Sequence, residues 1–119
     1  MILYKQLDLP YIIVSFYTEG YYETVVREHL LKSLEMQNLP YYIEQVRSTH
    51  TWTGNTNIKP YFMRRMLQKF PNKTIIWLDA DCEVVRPPML FETIPDDYDM
   101  GVFYLDLDMW YGTTRYRGA

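Results

Sequence analysis

Cysteine is nearly missing from this chain: Cys82 is the only one in 119 residues. That excludes an internal disulfide and a cysteine-rich zinc site, and such cysteine use implies a reducing, cytoplasmic setting. No stretch approaches the roughly 18 uncharged apolar residues of a membrane-crossing helix, so no transmembrane segment is expected. Residues 1–9 carry Lys5 and Asp8 and have no long apolar core, which argues against a secretory signal. Basic charge is also in short supply. Twelve Lys and Arg stand against fifteen Asp and Glu, a formal charge of −3. A nucleic-acid partner is therefore not expected, since such grooves normally carry a net positive surface. Repeats, low-complexity runs and Gly/Ser linkers are absent, so residues 1–119 read as one domain.

Apolar and aromatic residues are plentiful, at 48% and 17%, with twelve tyrosines. That content excludes a disordered chain. Residues 11–17 form an apolar, β-branched and aromatic run after Pro10 and predict a buried strand ending at Thr18-Glu19-Gly20. Over 21–36, Val25, Val26, His29, Leu30, Ser33 and Leu34 share one side at helical spacing, opposite Glu23, Arg27, Glu28, Lys32 and Glu35. An amphipathic helix follows, stopped by Asn38-Leu39-Pro40. Residues 41–46 read as a second strand and 48–57 as a polar loop. Asn57 is the expected N-cap of a second helix with Pro60 in its first turn. The apolar stripe of that helix is Ile58, Phe62, Met66 and Phe70. A third buried strand is expected at 74–78, a short extension at 83–85, a helical turn at 89–93 and a last strand at 100–105. Strands alternating with helices predict an α/β fold, a three-layer α/β/α arrangement with a mainly parallel sheet. Ligands in such sheets bind beyond the carboxyl ends of the strands, which points to the loops at 17–21 and 79–83.

The second of those loops opens with Asp79-Ala80-Asp81, expected at the end of a central, buried strand. Two carboxylates so placed suit a hard divalent cation, Mg²⁺ or Mn²⁺, that keeps several waters and takes its other oxygens from phosphate. Unpaired carboxylates there also call for a counter-charge. Spacing alone is weak evidence, because Asp97/Asp99 and Asp106/Asp108 repeat the pattern. The pair at 97/99 lies in a polar turn and reads as solvated. The pair at 106/108 follows a strand end, where solvation is again the plainer reading. Only Asp79/Asp81 follow a five-residue apolar run.

The stretch from Lys59-Pro60 through Arg64 and Phe70 to Trp77-Leu78-Asp79-Ala80-Asp81, and on to Arg86-Pro87-Pro88, resembles the metal-binding core of GT-A fold glycosyltransferases. Residues 12–18, with Tyr21 shortly after, are similar to that superfamily's first strand and nucleotide-contacting loop. The resemblance spans roughly residues 11–105. It implies a nucleotide-diphospho-sugar donor, a UDP- or GDP-sugar, whose sugar passes to the hydroxyl of an unidentified acceptor. It implies Asp81 as the principal ligand of Mn²⁺ or Mg²⁺, with Asp79 on the metal or the ribose. Tyr17 and Thr18 would lie against base and ribose, and Lys59 and Arg64 would face the diphosphate or donor sugar. No residue here matches the family's acceptor site, further metal ligand or catalytic base, so the chain is expected to be the donor-binding half of such a fold. Glu19, Asp106 and Asp108 are the carboxylates near the strand ends, and none has a motif behind it.

Two other readings compete. A haloacid-dehalogenase-type phosphatase also starts with a strand ending in D-x-D, but Glu83 stands where Thr or Val is expected, and no lysine follows Lys73. A non-catalytic nucleotide-sugar or protein-binding module is the other, with Tyr21-Tyr22, Tyr41-Tyr42 and Trp110-Tyr111 as a subunit interface and a homodimer covering a sheet edge. The plainer account of the tyrosines is half-buried rings on sheet and helix faces. His29 reads as a core histidine and His50 as a solvated loop residue. Cys82, next to two carboxylates that raise its pKa, is not expected to be a nucleophile. Arg115 and Arg117 read as an exposed terminus, and Met63 and Met66 as core filler.

Overall fold

A computed structural model describes residues 1–102, with the backbone of Leu105–Asp106 and Arg117–Gly118. Strand β2 (Tyr11–Thr18) is the centre of a four-stranded sheet. It pairs in parallel with β3 (Tyr41–Val46) on one side and β4 (Thr74–Trp77) on the other, and β1 (Ile2–Lys5) joins the far edge of β3 antiparallel. The sheet is thus mixed but mainly parallel. A strand hydrogen-bonded on both edges and covered on both faces has no solvent side, which is why β2 is apolar at nearly every position.

The two faces bury separate sets. Tyr11, Ile13 and Tyr17 of β2 pack with Ile43 of β3 against Val26, Leu30 and Leu34. Ile12 and Val14 pack with Tyr42 against Phe62 and Met66. Alternation along a strand divides the residues this way, and the result is a small α/β domain with one helical layer on each side.

The first layer is a rod, α1 (Tyr21–Val26), a π-helical turn at Arg27–Leu31, and α2 (Lys32–Met36). It ends as the sequence predicts. Asn38 takes the left-handed conformation (φ 52°), Leu39 N–H donates to Leu34 O, and Asn38 N–H donates to Glu35 O. These are the paired bonds of a Schellman stop, where Asn replaces the usual Gly.

The second layer differs from expectation at its start. The polar segment contains a short helix, α3 (Trp52–Thr56), capped by the Thr51 side chain, which accepts from Gly54 N–H at 3.0 Å. Asn57 is itself helical and caps nothing; it joins α3 to α4 (Ile58–Lys69). The physical reason is that Asn55 staples the segment by accepting from Thr49 N–H and Thr49 Oγ1, so the cap moves upstream to Thr51. Phe62 and Met66 are the buried part of the α4 stripe.

Other corrections are local. Strand β1 was not foreseen, because its four residues are only alternately half-buried. The short extension at 83–85 is irregular, the helical turn expected at 89–93 is present as a 3-10 turn at Met89–Glu92, and 100–102, expected as strand, are irregular. Residues 103 and 104 of the expected last strand lie outside the described residues, whereas β5 (Leu105–Asp106) pairs antiparallel with β6 (Arg117–Gly118). The tyrosines are not uniformly half-buried. Tyr11, Tyr17, Tyr41 and Tyr42 are core, while Tyr21, Tyr22, Tyr61 and Tyr98 are exposed. No helix among the described residues is long and apolar enough to cross a membrane.

Candidate functional site

Parallel pairing brings the carboxyl ends of β2, β3 and β4 to one edge of the sheet. Thr18 is level with Val46, and Val14 with Trp77. One further bond, Leu78 N–H to Val14 O at 3.3 Å, carries the β4 ladder past the strand. Beyond it the in–out alternation continues without a ladder. Ile76, Leu78, Ala80, Cys82 and Val84 pack toward the helical rod. Trp77 packs on the α4 side, and Asp79 and Asp81 share its parity and are exposed. A turn closed by Cys82 N–H to Asp79 O at 3.0 Å sets the two carboxylates. The strand that delivers them is not the central buried one expected from its apolar run. Among the described residues β4 pairs with β2 alone, and its residues are half-buried at best.

An aromatic floor underlies the pair. Phe16, Phe62 and Trp77 pack with ring centroids 5.2–5.9 Å apart, near the edge-to-face distances that aromatic quadrupoles favour. Trp77 Nε1–H donates to Asp79 Oδ1 at 2.8 Å. On the ring itself sits the Lys59 ammonium, 4.7 Å from the centroid. Lys59, Trp77 and Asp79 therefore form one connected group, and a cation over indole is held electrostatically without being consumed by a carboxylate. Lys59 is the nearest counterpart to the expected counter-charge, although it pairs with neither aspartate.

The donor set is two exposed carboxylates, one with an oxygen committed to the indole. That chemistry fits a hard cation that retains most of its water and takes further oxygens from a phosphate. Among the described residues, no group of three or more His, Cys, Asp or Glu is placed to hold a metal without such help.

The remaining sequence-predicted residues are distributed unevenly. Thr18 is nearly buried at the end of β2, with the parity of Phe16 and Trp77. Tyr17 points the other way, 2% exposed in the core beneath the rod, with its hydroxyl buried and unpaired, as is Ser15 Oγ. Burial, and then the Glu23 charge, raise its pKa. Arg64 lies on the outward side of α4, about 200° around the helix from Phe62. Glu19 accepts from Ser48 N–H at 3.0 and 3.2 Å, and backbone hydrogen bonds lower its pKa. Asp97 and Asp99 are exposed, as expected. Asp108 and Arg115 lie outside the described residues, as do the side chains of Asp106 and Arg117.

His29 is not a core residue. Its ring is 45% exposed and Nδ1 lies 2.6 Å from Glu83 Oε1. His50 is exposed with φ 64°, a left-handed conformation that histidine adopts more readily than most non-glycine residues. Cys82 is half-buried and its thiol pKa is raised first by burial. A depression of about 300 Å³, lined by Met1, Glu19, Gln45, Val46 and Arg47, opens at the same sheet edge. A cavity of about 320 Å³ between Leu9, Tyr11, Leu39 and Pro87–Met89 lies at the opposite edge, remote from the carboxylates.

Two contacts left little signal in the sequence: Glu83 to His29, and Val84 N–H to Ser33 Oγ at 2.9 Å. Both join segments more than fifty residues apart, and only the Glu83 charge hinted at a partner. In comparisons with models of known protein families, with curated proteins and with solved structures, nothing matches this chain.

Proposed function

We propose that the chain is a GT-A-type domain that binds a nucleotide-diphospho-sugar through Mn²⁺ or Mg²⁺ at Asp79 and Asp81 and supports transfer of the sugar to an acceptor hydroxyl. The observation that carries this reading is the exposed Asp79-Ala80-Asp81 turn at a strand's carboxyl end, beside Lys59 on Trp77. In that reading Asp81 and the free oxygen of Asp79 hold the cation, which when bound supplies charge stabilisation to the departing diphosphate. Lys59, kept unpaired over the indole, faces the same diphosphate oxygens. The end of β2 at Thr18 borders the nucleoside, and the buried Tyr17 ring supports that strand end from below. Transfer breaks the bond between the anomeric carbon and the diphosphate oxygen and forms one to the acceptor oxygen, and the acceptor's proton passes to a base. A nucleotide-sugar-binding module without turnover would bind the same donor and is the second reading.

Calorimetric titration with UDP and GDP, with and without Mn²⁺, tests the site on wild type and Asp81→Ala. Binding that requires Mn²⁺ and is lost on substitution is expected. Metal-independent binding, or no loss in Asp81→Ala, would overturn the assignment. Release of free sugar or a transferred product separates the enzyme from the module.

A further inference from the structure

We infer that His29 and Ser33 are positioning residues for the acidic turn, acting from the helical rod through Glu83 and Val84; this rests on Asp79 and Asp81 being the metal site proposed above. Among the described residues, the chain from Asp79 to Val84 has no strand partner. Inward packing of Ala80, Cys82 and Val84 and the Asp79–Cys82 turn set its depth, but neither prevents it from sliding along the rod. Two polar contacts do. His29 Nδ1 meets Glu83 Oε1 at 2.6 Å, and Val84 N–H donates to Ser33 Oγ at 2.9 Å. Ser33 Oγ in turn donates to Leu30 O at 2.9 Å, so its lone pairs are aimed at the loop. His29 and Ser33 are four residues apart, one above the other on a helix face, and they grip two consecutive residues of the loop.

The His29 half of this grip falls on the π-helical turn at Arg27–Leu31, a helix distortion that recurs at functional sites, and the Ser33 half on the first turn of α2. The histidine–glutamate pair is half-exposed, and exposed pairs contribute little to global stability. Its removal should therefore leave the fold intact. What it controls is where the second carboxylate stands, two residues upstream of Glu83. Groups hydrogen-bonded directly to metal ligands commonly change metal affinity by about 10-fold or more, and that is the upper bound for contacts acting through Glu83 and Val84.

The test uses the full chain, with Mn²⁺ and UDP or GDP as probes. His29→Ala is expected to weaken Mn²⁺-dependent nucleotide binding by up to about 10-fold and to speed amide exchange at residues 79–84, with an unchanged urea midpoint. His29→Gln, whose amide can still donate to Glu83, should recover most of the affinity. In a Glu83→Gln background, His29→Ala should add little, because both act through one contact. Ser33→Ala repeats the test from the second contact. Wild-type affinity in both His29→Ala and Ser33→Ala overturns the inference and leaves the metal site standing. Additive losses in the His29–Glu83 cycle overturn it too. Absence of Mn²⁺-dependent binding by the wild type overturns the metal site itself, and the inference falls with it.

Discussion

The indole of Trp77 and the carboxylate of Asp79, two residues apart, are joined by a 2.8 Å hydrogen bond, so the strand end braces its own acidic turn. The same ring carries Lys59, and the brace therefore orders an anion and a cation at once. Trp77→Phe keeps the ring face and removes the donor. Folding should weaken by about 1 kcal/mol for the lost bond, with the lost packing on Phe16 and Phe62 added to it. Mn²⁺-dependent nucleotide affinity should fall several-fold, read by calorimetry beside urea unfolding. Unchanged affinity would show that Asp79 is oriented without the indole.

Stability should fall at both ends of the pH range, through the Glu35–Tyr41 pair. Burial, and then the hydrogen bond to Glu35, push the Tyr41 hydroxyl from 10.0 up to about 12. Because the folded pKa is the higher one, this pair's contribution is whole below pH 10 and is lost between pH 10 and about 12. Glu35 is shifted the other way, chiefly by the Tyr41 hydroxyl and further by Lys5, so its contribution holds above its ordinary pKa and fades on acidification. Tyr41→Phe should flatten both arms of the urea midpoint against pH. An unaltered profile would place the titration elsewhere.

Leu30 is fully buried between the rod and the sheet. Leu30→Ala removes that packing and leaves a cavity, and a loss of about 2–5 kcal/mol is expected in urea unfolding. Tyr61→Ala, at an exposed position of α4, should stay within about 0.5 kcal/mol.

The Cys82 thiol should react slowly. Burial, together with the Asp79 and Asp81 charges, raises its pKa against an opposing backbone hydrogen bond at Asp79. Only the thiolate is nucleophilic, so alkylation at pH 8 should run more slowly in the folded protein than in urea. Equal rates would mean that the segment around Cys82 opens freely.

Much of the scaffold was legible in local pattern. The apolar run of β2, the bounds of β3, the Phe62 and Met66 stripe and the Asn38 stop all follow from residues adjacent in sequence or one turn apart. Strand β1 escaped because four half-exposed residues with a terminal lysine carry no alternation strong enough to read. The cap of α3 escaped because it depends on Asn55 reaching back to Thr49, a side-chain choice that composition does not show. At the candidate site, the position of Asp79 and Asp81 at a strand end was legible, whereas β4's place at the rim of the described sheet was not. An apolar run reports burial, and here that burial comes from two helical layers more than from strands on both sides. The grip of His29 and Ser33 on Glu83 and Val84 was nearly invisible for a different reason. Loop-to-helix contacts across fifty residues leave no periodic trace.

Strand β4 is bonded to β2 along one edge, yet it is bolted at both ends by side chains. At its start Lys73 Nζ donates to the carbonyls of Leu7 and Leu9, each at 2.9 Å, and past its end Ser33 holds Val84. A strand fixed this way gives up more than its ladder bonds when its end frays. Each anchor reaches into a different part of the molecule: the approach to the central strand, and the rod. The segment that carries the acidic turn is thereby tied to two further parts of the domain and not to β2 alone.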